Sequence, residues 1–256
     1  GEWVLVSANG GVNLYCGNNP FADGYSPAAP EILGWDCFDY PRLLQTLPSK
    51  PGMAYTAASK EFARRAWTYA SEHPARTVEL LIQKTLLFWG PLEVGNNKDD
   101  EWERADSAVL RKLPLSFAFA HAGFWLGLGV LLWTRRSGQR EKHLAGLFAV
   151  LAVGLFATYL PFIVAGRYRV PILPFLLFFT ARALQHLWEL AREHKWKPLG
   201  AWSVAGIALL LATHQNLAGY SPDRIGFLYG RGRAFDLNGL PEVATAFFQE
   251  AAAQDP

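Results

Sequence analysis

Hydrophobic and polar positions are arranged very differently along the two halves of this chain. Up to residue 112 they mix over short distances. From there to about residue 215 they separate into long apolar runs divided by short charged groups. A bilayer core about 30 Å thick takes about 20 helical residues. Residues 113–133 (LPLSFAFAHAGFWLGLGVLLW) carry no charge and predict a first membrane span. Residues 144–165 predict a second on the same ground. A third begins near Val170 and meets Arg182, Gln185 and His186, where Arg182 could snorkel toward a headgroup. A fourth, at residues 199–213, is short and is closed by His214, Gln215 and Asn216.

Lysine and arginine in short loops orient such spans, because they stay on the cytoplasmic side. Arg135, Arg136, Arg140 and Lys142 join the first two spans, and Arg192, Lys195 and Lys197 join the last two. Both loops are expected in the cytoplasm, with Trp133, Trp188 and Trp196 beside them as interfacial indoles. By alternation, residues 1–112, the link from Gly166 to Arg169 and the segment from residue 216 face outward. The pattern predicts an all-α polytopic membrane protein in three parts. These are an irregular extracytoplasmic segment with interfacial helices at 1–112, about four spans within 113–215, and a terminal helical hairpin at 225–256.

Within the outward segment, residues 57–72 predict a helix that His73-Pro74 stops, since proline cannot sit in a helix interior. A second helix, residues 75–89, places Val78, Leu81, Ile82, Thr85 and Leu86 on one face and Arg76, Glu79 and Gln83 on the other. That arrangement suits a helix lying on the membrane surface, with Lys84 at the edge of its polar face. Lys84 reads either as a snorkelling surface lysine or as a phosphate ligand. Upstream, residues 3–7 read as extended, Asn9-Gly10-Gly11 as a tight turn, and residues 12–16 as a returning strand or a short helix. Asn13, Asn18, Asn19 and Asp23 carry two readings: turn chemistry on their own backbone, or hydrogen bonding to a sugar or a lipid-linked phosphate.

Composition agrees with a membrane protein. Hydrophobic residues make up 51% of the chain, with ten Trp and seventeen Phe, above what most soluble domains carry. A net charge of +2 points away from a nucleic-acid partner. The chain opens on glycine without a leader pattern and reads as an internal piece of a longer protein. Cys16 and Cys37 fall in the outward segment, where a disulfide and two buried, unpaired thiols are both open. No cofactor is identified and no residue is assigned to a metal.

Arg167 and Arg169, in Gly166-Arg167-Tyr168-Arg169-Val170-Pro171, stand on the outward side, where topology does not call for arginine. The guanidinium fork matches phosphate oxygens, and a site at headgroup depth could hold the phosphate or pyrophosphate of a long-chain lipid carrier. Pairing with an acidic residue of the outward segment, or with ordinary headgroups, is the alternative.

Together these pieces resemble the bacterial membrane glycosyltransferases of family 39, relatives of the protein O-mannosyltransferases and aminoarabinose transferases with the GT-C fold. The matching residues run from Gly1-Glu2-Trp3-Val4-Leu5-Val6-Ser7 through Asn9-Gly10-Gly11-Val12-Asn13-Leu14-Tyr15 and Gly17-Asn18-Asn19-Pro20 to Ala22-Asp23-Gly24. Further on come His73-Pro74, Lys84 with Phe88-Trp89, and Arg167-Tyr168-Arg169-Val170-Pro171 before Pro174. The resemblance covers roughly residues 1–215 and implies the C-terminal half of such an enzyme. It implies sugar transfer from a polyprenyl-phosphate donor to an acceptor on the outer face of a bacterial cytoplasmic membrane. It places the catalytic carboxylate in a loop upstream of residue 1, so that this piece alone is expected to be inactive. Neither Asp23 nor Glu93 is assigned as the base. Arg167, Arg169 and Lys84 are the expected donor-phosphate ligands, and Asn13, Asn18, Asn19 and Asp23 the candidates for sugar or acceptor.

The tail resembles a tetratricopeptide repeat in the spacing of Leu228, Gly232, Phe235, Gly239, Ala244, Phe248, Ala251 and Pro256. Phe235 and Phe248 are expected to fill its seam, and Arg231 stands where the repeat usually has leucine. Such a unit implies a protein or peptide partner. Two rivals to the enzyme remain: a non-enzymatic membrane scaffold that recruits partners through the repeat, and a transporter of lipid-linked sugars.

Overall fold

The computed structural model describes residues 10–26, 55–95, 100–112, 116–133 and 138–254. Its helices are α1 (Gly10–Cys16), α2 (Tyr55–Glu72), α3 (Pro74–Trp89), α4 (Asp100–Asp106), α5 (Phe117–Trp133), α6 (Gln139–Tyr159), α7 (Leu173–Arg192), α8 (Trp196–Thr213), α9 (Arg224–Leu237) and α10 (Pro241–Gln254). Short 3-10 turns occupy Leu110–Lys112 and Gly166–Arg169. Among the described residues there is no strand, so the fold is all-α. The chain divides into two compact units, Gly1–Pro91 with Ser116–Ala218, and Leu92–Leu115 with Gly219–Pro256. Packing thus joins the stretch before α5 to the tail, a grouping that reading along the chain does not give.

In the first unit, α1 lies on α2. The expected turn at Gly10-Gly11 is instead the opening of a helix, which also settles Val12 to Cys16 as helical; Asn9 and residues 3–7 lie outside the described residues. Gly11 is needed for closeness rather than for a turn, because a Cβ there would fall on the carbonyl oxygen of Ser59. Its N–H donates to Ser59 Oγ at 2.9 Å. Val12, Tyr15 and Cys16 pack on Ala58, Phe62 and Ala66, which recur every fourth residue along α2, and on Ile163. Cys16 is buried and disulfide-bonded; Cys37, the other cysteine of the chain, lies outside the described residues.

His73 breaks α2 from α3, and Pro74 begins α3, where its missing N–H removes no helical bond. The buried face of α3 is Leu80, Lys84, Leu87 and Phe88, which corrects the expected placement of Lys84 at a polar edge. Val78 and Ile82, on the apolar face expected from the sequence, remain 55% and 56% exposed.

Among the described residues two helices, the one ending at Trp133 and α6, are long and apolar enough to cross a membrane, where the sequence led to about four. The second begins and ends earlier than the expected 144–165. Leu160 keeps helical backbone and donates to Phe156 O at 3.2 Å, but Pro161 has no N–H to continue the ladder, and residues 161–165 leave the helix. α5 and α7 approach closely through Gly123 and Gly127, one turn apart. A Cβ at the first would strike the Thr180 side chain, and at the second the Phe179 backbone. Thr180 Oγ1 donates to Leu176 O at 2.9 Å and reaches Ala120 O on α5 at 3.3 Å.

α6 buries only Ala145 and Ala152, and meets α7 through Phe148, whose ring lies 5.4 Å from Phe175 and 5.0 Å from Phe178. Arg182 does not snorkel: it pairs with Glu141 at 2.6 Å. α8 buries no residue; Trp202 meets His186 edge-on at 5.6 Å, and Thr213 Oγ1 donates to Ala118 O at 3.1 Å. Trp133, Trp188 and Trp196 are all exposed, as indoles at an interface would be.

In the second unit, Asp223 caps α9 by accepting from Gly226 N at 2.8 Å, and Gly239, at φ +75°, turns the chain into α10. Leu228, Gly232, Ala244 and Ala251 form the buried seam of the hairpin. Phe248 covers Gly232, where a Cβ would come within 2.6 Å of its ring. Both phenylalanines expected in the seam are half-buried: Phe235 stacks on Phe247 at 5.4 Å, and Phe248 meets Tyr229 at 5.5 Å. An aromatic doublet gives one ring to each side of α9. Pro256 lies outside the described residues.

Candidate functional site

Apart from Asn13, which lies on α1, the candidate residues belong to residues 17–26, α3 and the link between α6 and α7, which meet in the first unit. Asn18 Nδ2 donates to Leu14 O and to Pro161 O, both at 2.7 Å, so it closes the end of α1 and ties it to the link. Asn19 is fully buried; its Nδ2 donates to Tyr15 O at 2.8 Å and Cys16 O at 3.3 Å, and its Oδ1 accepts from Phe21 N at 2.8 Å. Asp23 Oδ1 accepts from Tyr25 N and Ser26 N, and its Oδ2 from Ser26 Oγ at 2.6 Å. In Asn19 and Asp23 the turn chemistry is therefore realised: Asn19 Nδ2 satisfies the last carbonyls of the short helix, and the Asp23 carboxylate accepts from the N–H groups that follow it. Asn13 differs: its Oδ1 is buried and meets no hydrogen-bond donor among the described residues.

Gly24, at φ +95°, lets this loop turn without a side chain, and the Leu87 and Lys84 side chains come within 3.2 Å of where a Cβ would stand. Its carbonyl accepts from Val164 N at 2.8 Å, and Arg76 Nη2 donates to Ala22 O at 3.0 Å. The loop is thereby laid over Lys84. Lys84 is 0% exposed, and its Nζ donates to Pro161 O at 3.3 Å, the oxygen that Asn18 also binds. Burial away from water lowers the ammonium pKa to about 8. No ion pair joins Lys84 to a carboxylate among the described residues.

The two arginines of the link separate. Arg169 is 1% exposed, donates from Nη2 to Leu87 O at 2.6 Å, and lies 4.4 Å over the Phe117 ring. It fixes the C-terminal turn of α3, whose carbonyl end favours a cation. Arg167 is exposed, 5.3 Å from the ring of Tyr168, which stacks on Tyr159 at 4.6 Å with planes 6° apart. A 3-10 turn advances about a third of a circle per residue, so residues two apart cannot share a side.

Asn18 and Lys84 thus meet at Pro161, Arg169 binds inward one turn along α3, and Arg167 faces out with an open fork. Sequence reasoning missed Pro161, Arg76 and the tyrosine stack. The proline inside an otherwise uncharged apolar run was the available signal. No protein-family model matches this chain, and no curated protein or solved structure matches it significantly.

Proposed function

We propose that this chain is part of a membrane glycosyltransferase that moves a sugar from a polyprenyl-phosphate donor to an acceptor hydroxyl on the extracytoplasmic face. The observation that carries this reading is Lys84, an ammonium without a carboxylate, buried beside the link that presents Arg167. An uncompensated cation at such depth is unfavourable on its own and suits a site completed by an anion. In the transfer, the bond from the anomeric carbon to the phosphate oxygen breaks and one to the acceptor oxygen forms. The acceptor proton passes to a carboxylate supplied from outside these residues. Charge grows on the departing phosphate, and Arg167 and Lys84 stabilise it. Arg169 acts one step back, by holding α3 against the link.

The second unit supports the topology. Segments 100–112 and 224–254 belong to one compact body, which agrees with an even number of crossings between them. Four crossings, by α5 to α8, fit this, with both segments outward and Arg140 and Lys142 in the cytoplasm. A cysteine placed at 140 should resist impermeant reagent in intact cells and one at 221 should react; the reverse overturns the orientation.

The chemistry is tested with Arg167→Ala in the full-length protein, which should weaken donor binding and turnover at least about tenfold, as expected for a lost charged hydrogen bond. Unchanged donor binding and turnover would remove Arg167 from the site. A second reading, a membrane scaffold, is favoured by the α9–α10 hairpin, whose small seam residues and aromatic fill suit a repeat that binds peptides. A full-length protein that binds no polyprenyl phosphate yet recruits a partner through α9 and α10 would favour the scaffold.

A further inference from the structure

One contact in the second unit has no part in sugar transfer. Arg224, Phe227 and Arg231 recur three and four residues apart along α9 and share one side of that helix. α4, with the sequence DEWERAD, lies against that side. Its Trp102 ring is 4.7 Å from the Arg224 guanidinium, and its Asp106 accepts from Arg231 Nη1 at 2.6 Å. Phe227 stands between the two arginines, 5.5 Å from Arg224 and 5.2 Å from Arg231. Trp102 and Asp106 are one helical turn apart, so a single face of α4 makes both contacts.

The seat is complementary but incomplete. A helix of seven residues is too short to persist alone, so α4 owes its form to what it rests on. Yet the Trp102 Nε1–H is buried with no acceptor among the described residues, and the Arg231–Asp106 pair is still partly open to water. An orphaned buried donor opposes the contact, and an exposed pair adds little to it. The surface beneath is held independently, with Arg224 also bonded to Glu250 of α10 at 2.9 Å and Arg231 5.5 Å from the Phe247 ring. A surface that keeps its shape without α4, under a segment that sits imperfectly, is built for exchange.

We propose that this side of the α9–α10 hairpin is a peptide-binding surface for acidic helical segments with a tryptophan one turn before a carboxylate. α4 is its tethered occupant, displaced when such a segment arrives from a partner. The inference does not rest on the glycosyltransferase reading, and either can fail without the other.

The test titrates a fluorescent peptide of the α4 sequence onto the whole chain in detergent micelles. A tethered competitor acts at an effective concentration in the millimolar range, so emptying the seat with Trp102→Ala and Asp106→Ala should tighten binding at least about tenfold. Arg231→Glu should lose the native peptide and accept one whose final aspartate is replaced by lysine. The proposal is overturned if the emptied chain binds no tighter than the wild type, or if Arg231→Glu binds the two peptides alike. Should the emptied variant lose its helical circular dichroism, the charge exchange at Arg231 decides alone.

Discussion

Two sites, one in each unit, handle cations in opposite ways. In the first, Lys84 and Arg169 are buried and donate to backbone carbonyls, Pro161 O and Leu87 O. In the second, Arg224 and Arg231 stay partly exposed and meet carboxylates and rings, Glu250 and Trp102 for one, Asp106 and Phe227 for the other. A carbonyl satisfies a donor but does not neutralise a charge, so the Lys84 ammonium keeps a charge that its bond to Pro161 O leaves standing. Arg224 and Arg231 are each paired with a carboxylate. The difference separates a place suited to an incoming anion from a surface suited to an incoming acidic segment.

The comparison breaks most sharply at Arg169. Replacing it with Ala leaves Leu87 O buried without its donor and opens space over Phe117, so stability should fall by about 3 kcal/mol, roughly 10 °C in Tm. A shift of only a degree or two in detergent would mean that Arg169 does not hold α3 to the link. Lys84→Met acts with the opposite sign. The Lys84 pKa is about 8 against an ordinary 10.5, so between these values the unfolded chain binds more protons than the folded one. Wild-type stability should therefore rise as pH increases from about 8 to about 10.5, with the penalty fully present below pH 8. Lys84→Met should remove that slope and stabilise the protein at pH 7 by at most about 3 kcal/mol, while lowering donor affinity in the full-length protein. A pH-independent wild type, or a destabilised Lys84→Met, would show that the ammonium is not strained.

Close helix packing offers a milder contrast. At Gly127 an added Cβ meets the Phe179 backbone, which cannot move without shifting α7; at Gly232 it meets the Phe248 ring, which can turn aside. Gly127→Ala should cost about 2 kcal/mol and Gly232→Ala distinctly less. Equal losses in thermal melts would deny that the two seams differ in rigidity.

Much of the helical framework was legible because apolar runs, prolines and short charged loops are one-dimensional signals. Pro74 marked the start of α3 to within a residue, and the charge-free run ending at Trp133 marked α5. The site was less legible because it is assembled by long-range contacts. Nothing local to Lys84 says that residues 17–26 will lie over it: helical periodicity places it at a polar edge, and the bond to Pro161 buries it. Arg167 and Arg169 were legible as a pair but not as opposites, since their separation depends on a 3-10 turn. Arg231, an oddity as a repeat residue, is explained only by Asp106, 125 positions away.

The smallest expected effect lies at that same arginine. Arg231 and Asp106 are 35% and 42% exposed, so water already solvates both and competes with their bond. Arg231→Ala should destabilise the chain by less than about 1 kcal/mol, even with its ring contacts to Phe227 and Phe247 included. Thermal melts in low and high salt provide the check, because an exposed pair weakens as the screening length shrinks, whereas the carbonyl-bound Arg169 should respond little. If Arg231→Ala proved as damaging as Arg169→Ala, and equally deaf to salt, α4 would be a structural part of the hairpin rather than an occupant. The contrast between a buried cation bonded to a carbonyl and a displayed one paired with a carboxylate would then collapse at its second half.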